Sequence, residues 1–176
     1  TTPANVKGGF TLTARAIATE SDGNDTQEAS TDLVYGTDDD DTLAGGAGDD
    51  VLIGGAGADV FSWEFDDQGT ESTPAEDVVT DFIKGSYNGT GDADQLDLAD
   101  LLQNEESSED LSGYIQAEQS GSDTVLYVNS QGQLDTDNLT ANADQTIKLE
   151  NVSMDNQSSD DFIQSLLNNG QLNIDS

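Results

Sequence analysis

Three aspartates recur every nine residues in the glycine-rich segment between residues 36 and 62. Cut into rows of nine, the segment reads GTDDDDTLA, GGAGDDVLI and GGAGADVFS. The sixth place of each row is an aspartate and the eighth is apolar: Asp41, Asp50 and Asp59, then Leu43, Leu52 and Phe61. Glycine permits sharp turns that aim backbone carbonyl oxygens inward, and each aspartate adds a carboxylate beside them. Such an all-oxygen cage suits a hard cation such as calcium.

The last three residues of each row are predicted to form a short strand whose eighth-place side chain enters a shared core. Two rows make one coil of about eighteen residues, so turns stack on the same side at every second row. Asp41 and Asp59 are eighteen residues apart and are predicted to share one ion. The same spacing separates Asp32 from Asp50 and Asp59 from Asp77. We therefore interpret the segments around Asp32 and Asp77 as degenerate rows that extend the stack at its two ends.

The composition indicates that bound cations must stabilise any compact state. The chain of 176 residues carries 37 acidic and 4 basic residues, a formal net charge of −33, and is 33% apolar. That combination is close to the composition of disordered proteins, because mutual repulsion opposes compaction. It also argues against binding to nucleic acid, whose phosphates need cationic side chains, and against insertion into an anionic membrane surface.

The absence of cysteine and histidine excludes several kinds of functional site. The chain has no cysteine and no histidine, so it can form no disulfide, lacks the usual zinc ligands and lacks the commonest general base. No apolar run approaches the length of a membrane span. The acidic residues are better explained as calcium ligands and surface charge than as catalytic pairs. We therefore expect that the chain is not an enzyme.

Outside the rows, most segments alternate between apolar and polar residues, as strands do. Strands are expected in residues 10–19, 75–83, 112–119, 124–129 and 145–152, with a short amphipathic helix over 160–167 that Gly170 would end. Trp63, Phe65 and Phe82 are predicted to cover the end of the stack as core residues. Asp81, Asp92, Asp94 and Asp97 are interpreted as solvated turn carboxylates, although metal binding by them stays open. For Asp22, Asn24 and Asp25, an Asx-type turn is favoured over a calcium loop, and both stay open.

The nine-residue rows resemble the RTX (repeats-in-toxin) nonapeptide G-G-x-G-x-D-x-U-x, where U is a large apolar residue, of calcium-binding β-rolls. The segments AEDVVTDF, GDADQLDLADLL and DFIQSLLNNGQLNID are similar to the C-terminal target domain of proteins exported by type I secretion, as found at the end of giant bacterial surface adhesins. Residues 10–25 resemble the end of an Ig-like repeat from such an adhesin. The implied fold is mainly β: a short, calcium-bound parallel β-roll followed by a β-rich cap with one or two short helices. The implied domains are 1–31 (the preceding Ig-like domain or a linking strand), 32–83 (the roll) and 84–176 (the cap with the secretion signal).

The resemblance also implies a set of backbone ligands, since each ion in the family takes carbonyl oxygens and one aspartate from each of two stacked turns. For the ion of Asp41 and Asp59, the carbonyls are those of Thr37, Asp39, Gly54 and Ala56. For Asp32 and Asp50 they are those of Glu28, Ser30, Gly45 and Ala47. For Asp59 and Asp77 they include those of Gly55, Gly57, Ser72 and Pro74. Gly46 and Gly48 complete the predicted set.

The function implied by the resemblance is a non-enzymatic module for calcium-dependent folding and type I secretion at the C-terminus of a large adhesin. Its implied partners are several calcium ions and, transiently, the secretion machinery, and it is expected to be an extracellular, cell-surface monomer. Two alternatives remain open: the RTX end of a secreted protease or lipase, and a calcium-dependent module that binds carbohydrate or a host surface. The sequence leaves open the number of ions, the adhesin's target and the boundary near residue 31.

Overall fold

The computed structural model describes residues 10–16, 29–88, 91–103 and 110–175. Within these residues the chain forms eleven strands and one helix. The strands are β1 (Phe10–Ala16), β2 (Ala29–Tyr35), β3 (Thr42–Leu43), β4 (Val51–Ile53), β5 (Val60–Ser62), β6 (Ala75–Val79), β7 (Gln95–Asp97), β8 (Ile115–Ser120), β9 (Asp123–Val128), β10 (Gln145–Leu149) and β11 (Leu172–Asn173). The helix is α1 (Ser159–Asn168).

The strands form two sheets between which the chain passes alternately. The first sheet has the order β1-β2-β4-β6-β10-β9-β8, and the second has the order β11-β7-β5-β3. Strands of successive coils pair in parallel: Val34 lies opposite Leu52 in the first sheet, and Leu43 lies opposite Phe61 in the second. Both pairs are eighteen residues apart, as two rows per coil predict. This stack is the parallel β-roll, so the predicted mainly β fold is confirmed.

The eighth-place side chains fill the space between the two sheets. Leu52, Phe61 and Leu96 have no exposed surface. Their counterparts in the other rungs are also buried: Val34, Leu43 and Val79. An apolar column therefore runs through the roll, and its burial is the main favourable contribution to stacking the rungs.

The C-terminal residues form the cap by extending the first sheet. β10 pairs in parallel with β6, whereas β9 pairs antiparallel with both β10 and β8. Helix α1 begins after Ser158, whose side chain accepts from the backbone N–H of Asp161, and it buries Phe162, Ile163 and Leu166. Gly170 follows the helix with a φ of 70°, in the left-handed region where glycine is favoured. The predicted helix is thus present, one residue longer at each end.

Several boundaries and surface assignments differ in detail from expectation. The predicted domain boundary at residue 31 lies within β2, and the division of the chain into three domains stays a prediction. Trp63 and Phe82 are buried as expected, but Phe65 is 46% exposed, so its placement in the core was wrong. It lies in the segment 63–74, which leaves the roll after β5 and forms no rung. In the described part of the chain, no helix is long and apolar enough to cross a membrane.

The first glycine of each complete row is required by the aspartate of the same row. A Cβ on Gly54 would collide with Oδ2 of Asp59 and come within 3.1 Å of the Phe61 ring. The second and fourth places have positive φ angles in both complete rows: Gly46, Gly48, Gly55 and Gly57. The turns therefore need glycine both for conformation and for close approach.

Gly54→Ala is expected to destabilise the calcium-bound protein by about 2 kcal/mol, because the turn must shift to release Asp59. Gly91→Ala is the matched control: its Cβ would meet nothing within 4 Å, so its unfolding free energy should stay within about 0.5 kcal/mol of the parent. Denaturant unfolding in excess calcium measures both. Equal stability of the two variants would contradict the proposed packing of the turn.

Candidate calcium-binding site

The sixth-place aspartates form two hydrogen-bonded ladders, one on each side of the roll. The first ladder consists of Asp32, Asp50 and Asp77, and the second of Asp41, Asp59 and Asp94. In each, the backbone N–H of one aspartate donates to Oδ1 of the next. The N···O distances are 2.6 and 2.7 Å along the first ladder and 2.9 and 3.0 Å along the second.

The structure brings together two of the three predicted aspartate pairs. Asp32 lies beside Asp50, and Asp41 lies beside Asp59, in turns that stack eighteen residues apart. The pairing of Asp59 with Asp77 was wrong. Segment 63–74 makes no rung, so β6 joins the first sheet twenty-seven residues after β4, with Val51 opposite Val78. Asp77 therefore extends the ladder of Asp50, and Asp94 takes the place beside Asp59.

The turn of Asp32 and Asp50 has the chemistry that a cation requires. Asp50 is 1% exposed, and its Oδ2 atom is buried without a hydrogen-bond donor. Oδ1 of Asp32 is also buried without a donor. Buried carboxylate oxygens without a partner are costly, because they have lost water and gained nothing in return. A cation held between the two carboxylates would satisfy both oxygens, so these residues fit a bound calcium ion.

The turn of Asp41 and Asp59 places the predicted carbonyl groups against the partner turn. The carbonyl oxygen of Thr37 accepts from the N–H of Ala56 at 3.1 Å. A Cβ on Gly55 would collide with that oxygen, and a Cβ on Gly57 would come within 3 Å of the Asp39 carbonyl. Because row one has Thr37 where glycine is usual, the turn is fixed instead by a side chain: Oδ2 of Asp41 accepts from both the N–H and the hydroxyl of Thr37.

Carbonyl oxygens must complete any calcium site here, because carboxylates alone are too few. Within residues 29–88, 91–103 and 110–175, no three acidic side chains are grouped so that they could hold a metal ion. Ala47, Gly48 and Pro74 lie around a cavity of about 360 Å³ between the turn of Asp50 and segment 66–75. Glu28 and the possible loop ligands Asp22, Asn24 and Asp25 lie outside the described residues. Metal binding by the predicted residues stays a prediction.

Burial raises the pKa of the ladder carboxyls well above their ordinary value of 3.8. It raises the pKa of Asp50 to about 6 and that of Asp94 to about 6, and it raises that of Asp59 as well. Burial raises the pKa of Asp77 to about 7, although hydrogen bonds from Trp63, the Asp50 backbone and Gln145 lower it in part. Neighbouring carboxylates add to each increase. Without a cation, these groups thus bind protons at a higher pH than an ordinary aspartate does.

The sequence reading assigned no site role to Trp63 or Gln145, and it left metal binding by Asp81 and Asp94 open. The interpretation of Asp94 as a solvated carboxylate was wrong, because Asp94 is 2% exposed. The carboxylate of Asp81 accepts from the N–H groups of Gly54 and Gly55. Asp94 had a signal in its own segment, GTGDADQLD, which places it sixth and Leu96 eighth in a row. That row is thirty-five residues from the row of Asp59, so counting in nines does not find it. No local signal identified Trp63 or Gln145 as partners of Asp77.

The stability of the calcium-free protein is expected to fall as pH rises from about 4 to about 7. In the unfolded chain Asp77 and Asp94 ionise near 3.8, whereas in the fold their pKa values are about 7 and about 6. The folded state therefore binds more protons across this interval, so stability is highest below the unfolded pKa and is lost as pH rises through the folded values.

Melting temperatures in chelator at a series of pH values measure this dependence. Asp94→Asn removes one titrating group and should flatten the decline below pH 6, which separates its effect from the general repulsion of the acidic chain. A melting temperature that rises with pH in chelator would contradict the prediction.

Comparison with known proteins agrees with this geometry for one part of the chain. Residues 29–62 match the family model of the RTX calcium-binding nonapeptide repeat, in four copies. No curated protein sequence matches the chain significantly.

Among solved structures, the AlgE6R3 subunit of the Azotobacter vinelandii mannuronan C5-epimerase is 20% identical with a TM-score of 0.44, over 74% of this chain and 71% of that one. The AlgE6R2 subunit of the same epimerase is 22% identical with a TM-score of 0.31, over 72% and 88%. The extracellular lipase LipA of Serratia marcescens is 18% identical with a TM-score of 0.33, over 91% of this chain but only 26% of the lipase. At such scores the activities of those proteins carry no weight for this chain. From the family model and the ladder geometry together, residues 29–62 are RTX calcium-binding nonapeptide repeats.

Proposed function

We propose that the chain is a non-enzymatic module that folds when it binds calcium and that closes a large, secreted adhesin. The observation that carries the proposal is the pair of buried oxygens on Asp32 and Asp50 that no protein donor satisfies. RTX repeats over residues 29–62 support it, since such repeats bind calcium and are typical of secreted proteins. The roles in adhesion and export rest on the family resemblance of the C-terminal segments.

Repulsion between carboxylates makes the folding of the roll depend on calcium. The chain has a net charge of −33, and the ladders place buried aspartates in neighbouring turns. Two like charges 4 Å apart repel by about 1 kcal/mol even in bulk water, and by more in less polar surroundings. Where free calcium is scarce, as inside a cell, this repulsion keeps the repeats unfolded. An unfolded chain is the form that a narrow export channel can accept.

Outside the cell, calcium is abundant enough to overcome the repulsion between the carboxylates and to favour the folded repeats. Sites in extracellular modules typically release calcium with a Kd of ~10⁻⁴–10⁻³ M. At ten times the Kd, one site contributes about 1.4 kcal/mol of stability. Two such sites, at Asp32 with Asp50 and at Asp41 with Asp59, would supply a substantial part of the ~5–15 kcal/mol that marks a stable domain. Folding of the first exported segment would then hinder its return through the channel.

Calcium titration followed by circular dichroism tests the folding proposal. The β-sheet signal is expected to increase as calcium is added to chelated protein. Asp41→Ala and Asp59→Ala should each raise the calcium midpoint by roughly tenfold, the equivalent of about 1.4 kcal/mol. Asp137→Ala, on an exposed cap loop, is the control and should leave the midpoint unchanged. Identical spectra in chelator and in calcium would rule out calcium-dependent folding.

Export from cells that carry a type I secretion system tests the other half of the proposal. Deleting residues 159–176 removes α1 and β11 and should abolish export while the protein still accumulates inside the cell. The double variant Asp41→Asn, Asp59→Asn should be exported normally, because the chain passes the channel unfolded, yet should fail to fold outside. Normal export of the truncated chain would show that the secretion signal lies elsewhere.

A further inference from the structure

The last aspartate of the first ladder is bound differently from the two before it. Asp77 is 2% exposed, and its Oδ1 atom accepts from the N–H of Asp50 at 2.7 Å. Its Oδ2 atom accepts twice more, from the indole N–H of Trp63 at 2.6 Å and from the side-chain amide of Gln145 at 2.8 Å. At Asp50 the corresponding Oδ2 atom has no donor at all. Two protein N–H groups therefore bind Oδ2 of Asp77, whereas Oδ2 of Asp50, one rung earlier, has no donor.

The second ladder also ends on a buried aspartate, but with one backbone donor on each oxygen. Asp94 is also 2% exposed. Its Oδ1 atom accepts from the N–H of Asp59 at 3.0 Å, and its Oδ2 atom accepts from the N–H of Ile83 at 2.8 Å. Each terminal aspartate thus has both oxygens engaged by N–H donors, and each ladder ends in this way on its own side of the roll.

A carboxylate oxygen has two lone pairs, so two donors on the same oxygen leave no place for a divalent cation there. The hydrogen of an N–H group carries partial positive charge, and a donor at 2.6–2.8 Å occupies the direction from which an ion would approach. At Asp77 two such donors converge on Oδ2, and both come from side chains with almost no exposed surface, since Trp63 is 2% and Gln145 is 0% exposed. Charge-assisted bonds of this kind are the stronger hydrogen bonds in proteins.

We infer that Asp77 holds no calcium and instead closes the first ladder with hydrogen bonds to the rest of the protein. This inference rests on the proposed calcium binding by the earlier rungs. Gln145 is the first residue of β10 and lies opposite Ala75 of β6, and Trp63 directly follows β5. The three side chains Trp63, Asp77 and Gln145, which we name the junction cluster, therefore join the roll to the cap through hydrogen bonds, and Oε1 of Gln145 is the atom of the cluster that is buried without a donor.

The junction cluster fixes the end of the roll that adjoins the cap, and the calcium-dependent rungs stack on that end. β6 pairs with β4 of the roll on one side and with β10 of the cap on the other. Because the cluster contains no proposed calcium ligand, its hydrogen bonds contribute the same stability in chelator as in excess calcium. Calcium is then required for the rungs of Asp32, Asp41, Asp50 and Asp59 and not for the end of the first ladder.

The test compares Asp77→Asn with Asp59→Asn in the full chain. Bound calcium per chain is measured by equilibrium dialysis with calcium alone, and melting temperatures are measured in chelator and in excess calcium. Asp77→Asn is expected to leave the bound calcium unchanged and to lower the melting temperature by roughly 5–10 °C in both conditions. Asp59→Asn should lose one ion. Trp63→Phe removes the indole N–H but keeps an aromatic ring, and it should behave like Asp77→Asn to a smaller degree.

The outcomes separate the two proposals. If Asp77→Asn loses one ion, Asp77 is a ligand and the junction cluster is not the closing device, while calcium-dependent folding stands. If Asp59→Asn keeps every ion, the proposed function itself fails. Should Asp77→Asn not fold, Trp63→Phe decides: an unchanged melting temperature in both conditions would overturn the inference.

Discussion

Buried carboxylates stacked at the spacing of neighbouring β-strands are the constraint on which this structure depends. Asp50, Asp59, Asp77 and Asp94 are almost fully buried in their rungs, so their oxygens need positive partners in place of water. The backbone N–H of the adjacent rung donates to one oxygen of each of these four aspartates. The other oxygen distinguishes the rungs: on Asp50 it has no protein donor, whereas on Asp77 and Asp94 it has one or two.

Strand β6 joins the repetitive roll to the irregular cap. It belongs to the roll through β4 and to the cap through β10, so a single seven-stranded sheet runs through both. Its buried residues serve each part in turn: Val79 continues the apolar column of the rungs, and Asp77 receives the donors of the junction cluster. The cap also completes the second sheet, because β11 near the C-terminus pairs with β7. Neither sheet of the roll therefore ends without a partner on its cap side.

The sequence alone was sufficient to predict the core residues and the aspartate pairs wherever the nine-residue repeat is unbroken. Counting in nines predicted the eighth-place core residues and placed Asp41 beside Asp59 and Asp32 beside Asp50, because the turn and strand geometry of each row is local. It failed at Asp77, because segment 63–74 occupies a row without forming a rung and shifts the register from eighteen to twenty-seven residues. The same excursion left Phe65 on the surface. Gln145, which is sixty-eight residues from Asp77, lies in no repeat, and only the tertiary pairing of β6 with β10 brings it there.

The position of Trp63 determines what tryptophan fluorescence can report about this protein. It is the chain's single tryptophan, and its ring is almost fully enclosed with the indole nitrogen bound to Asp77. Tryptophan emission therefore originates from one buried position near β5, β6 and β10. A change in its wavelength or intensity reports a change around Trp63, whereas the turns at Asp32 and Asp41 contain no tryptophan. Tryptophan fluorescence of this chain therefore reports on the junction between the roll and the cap.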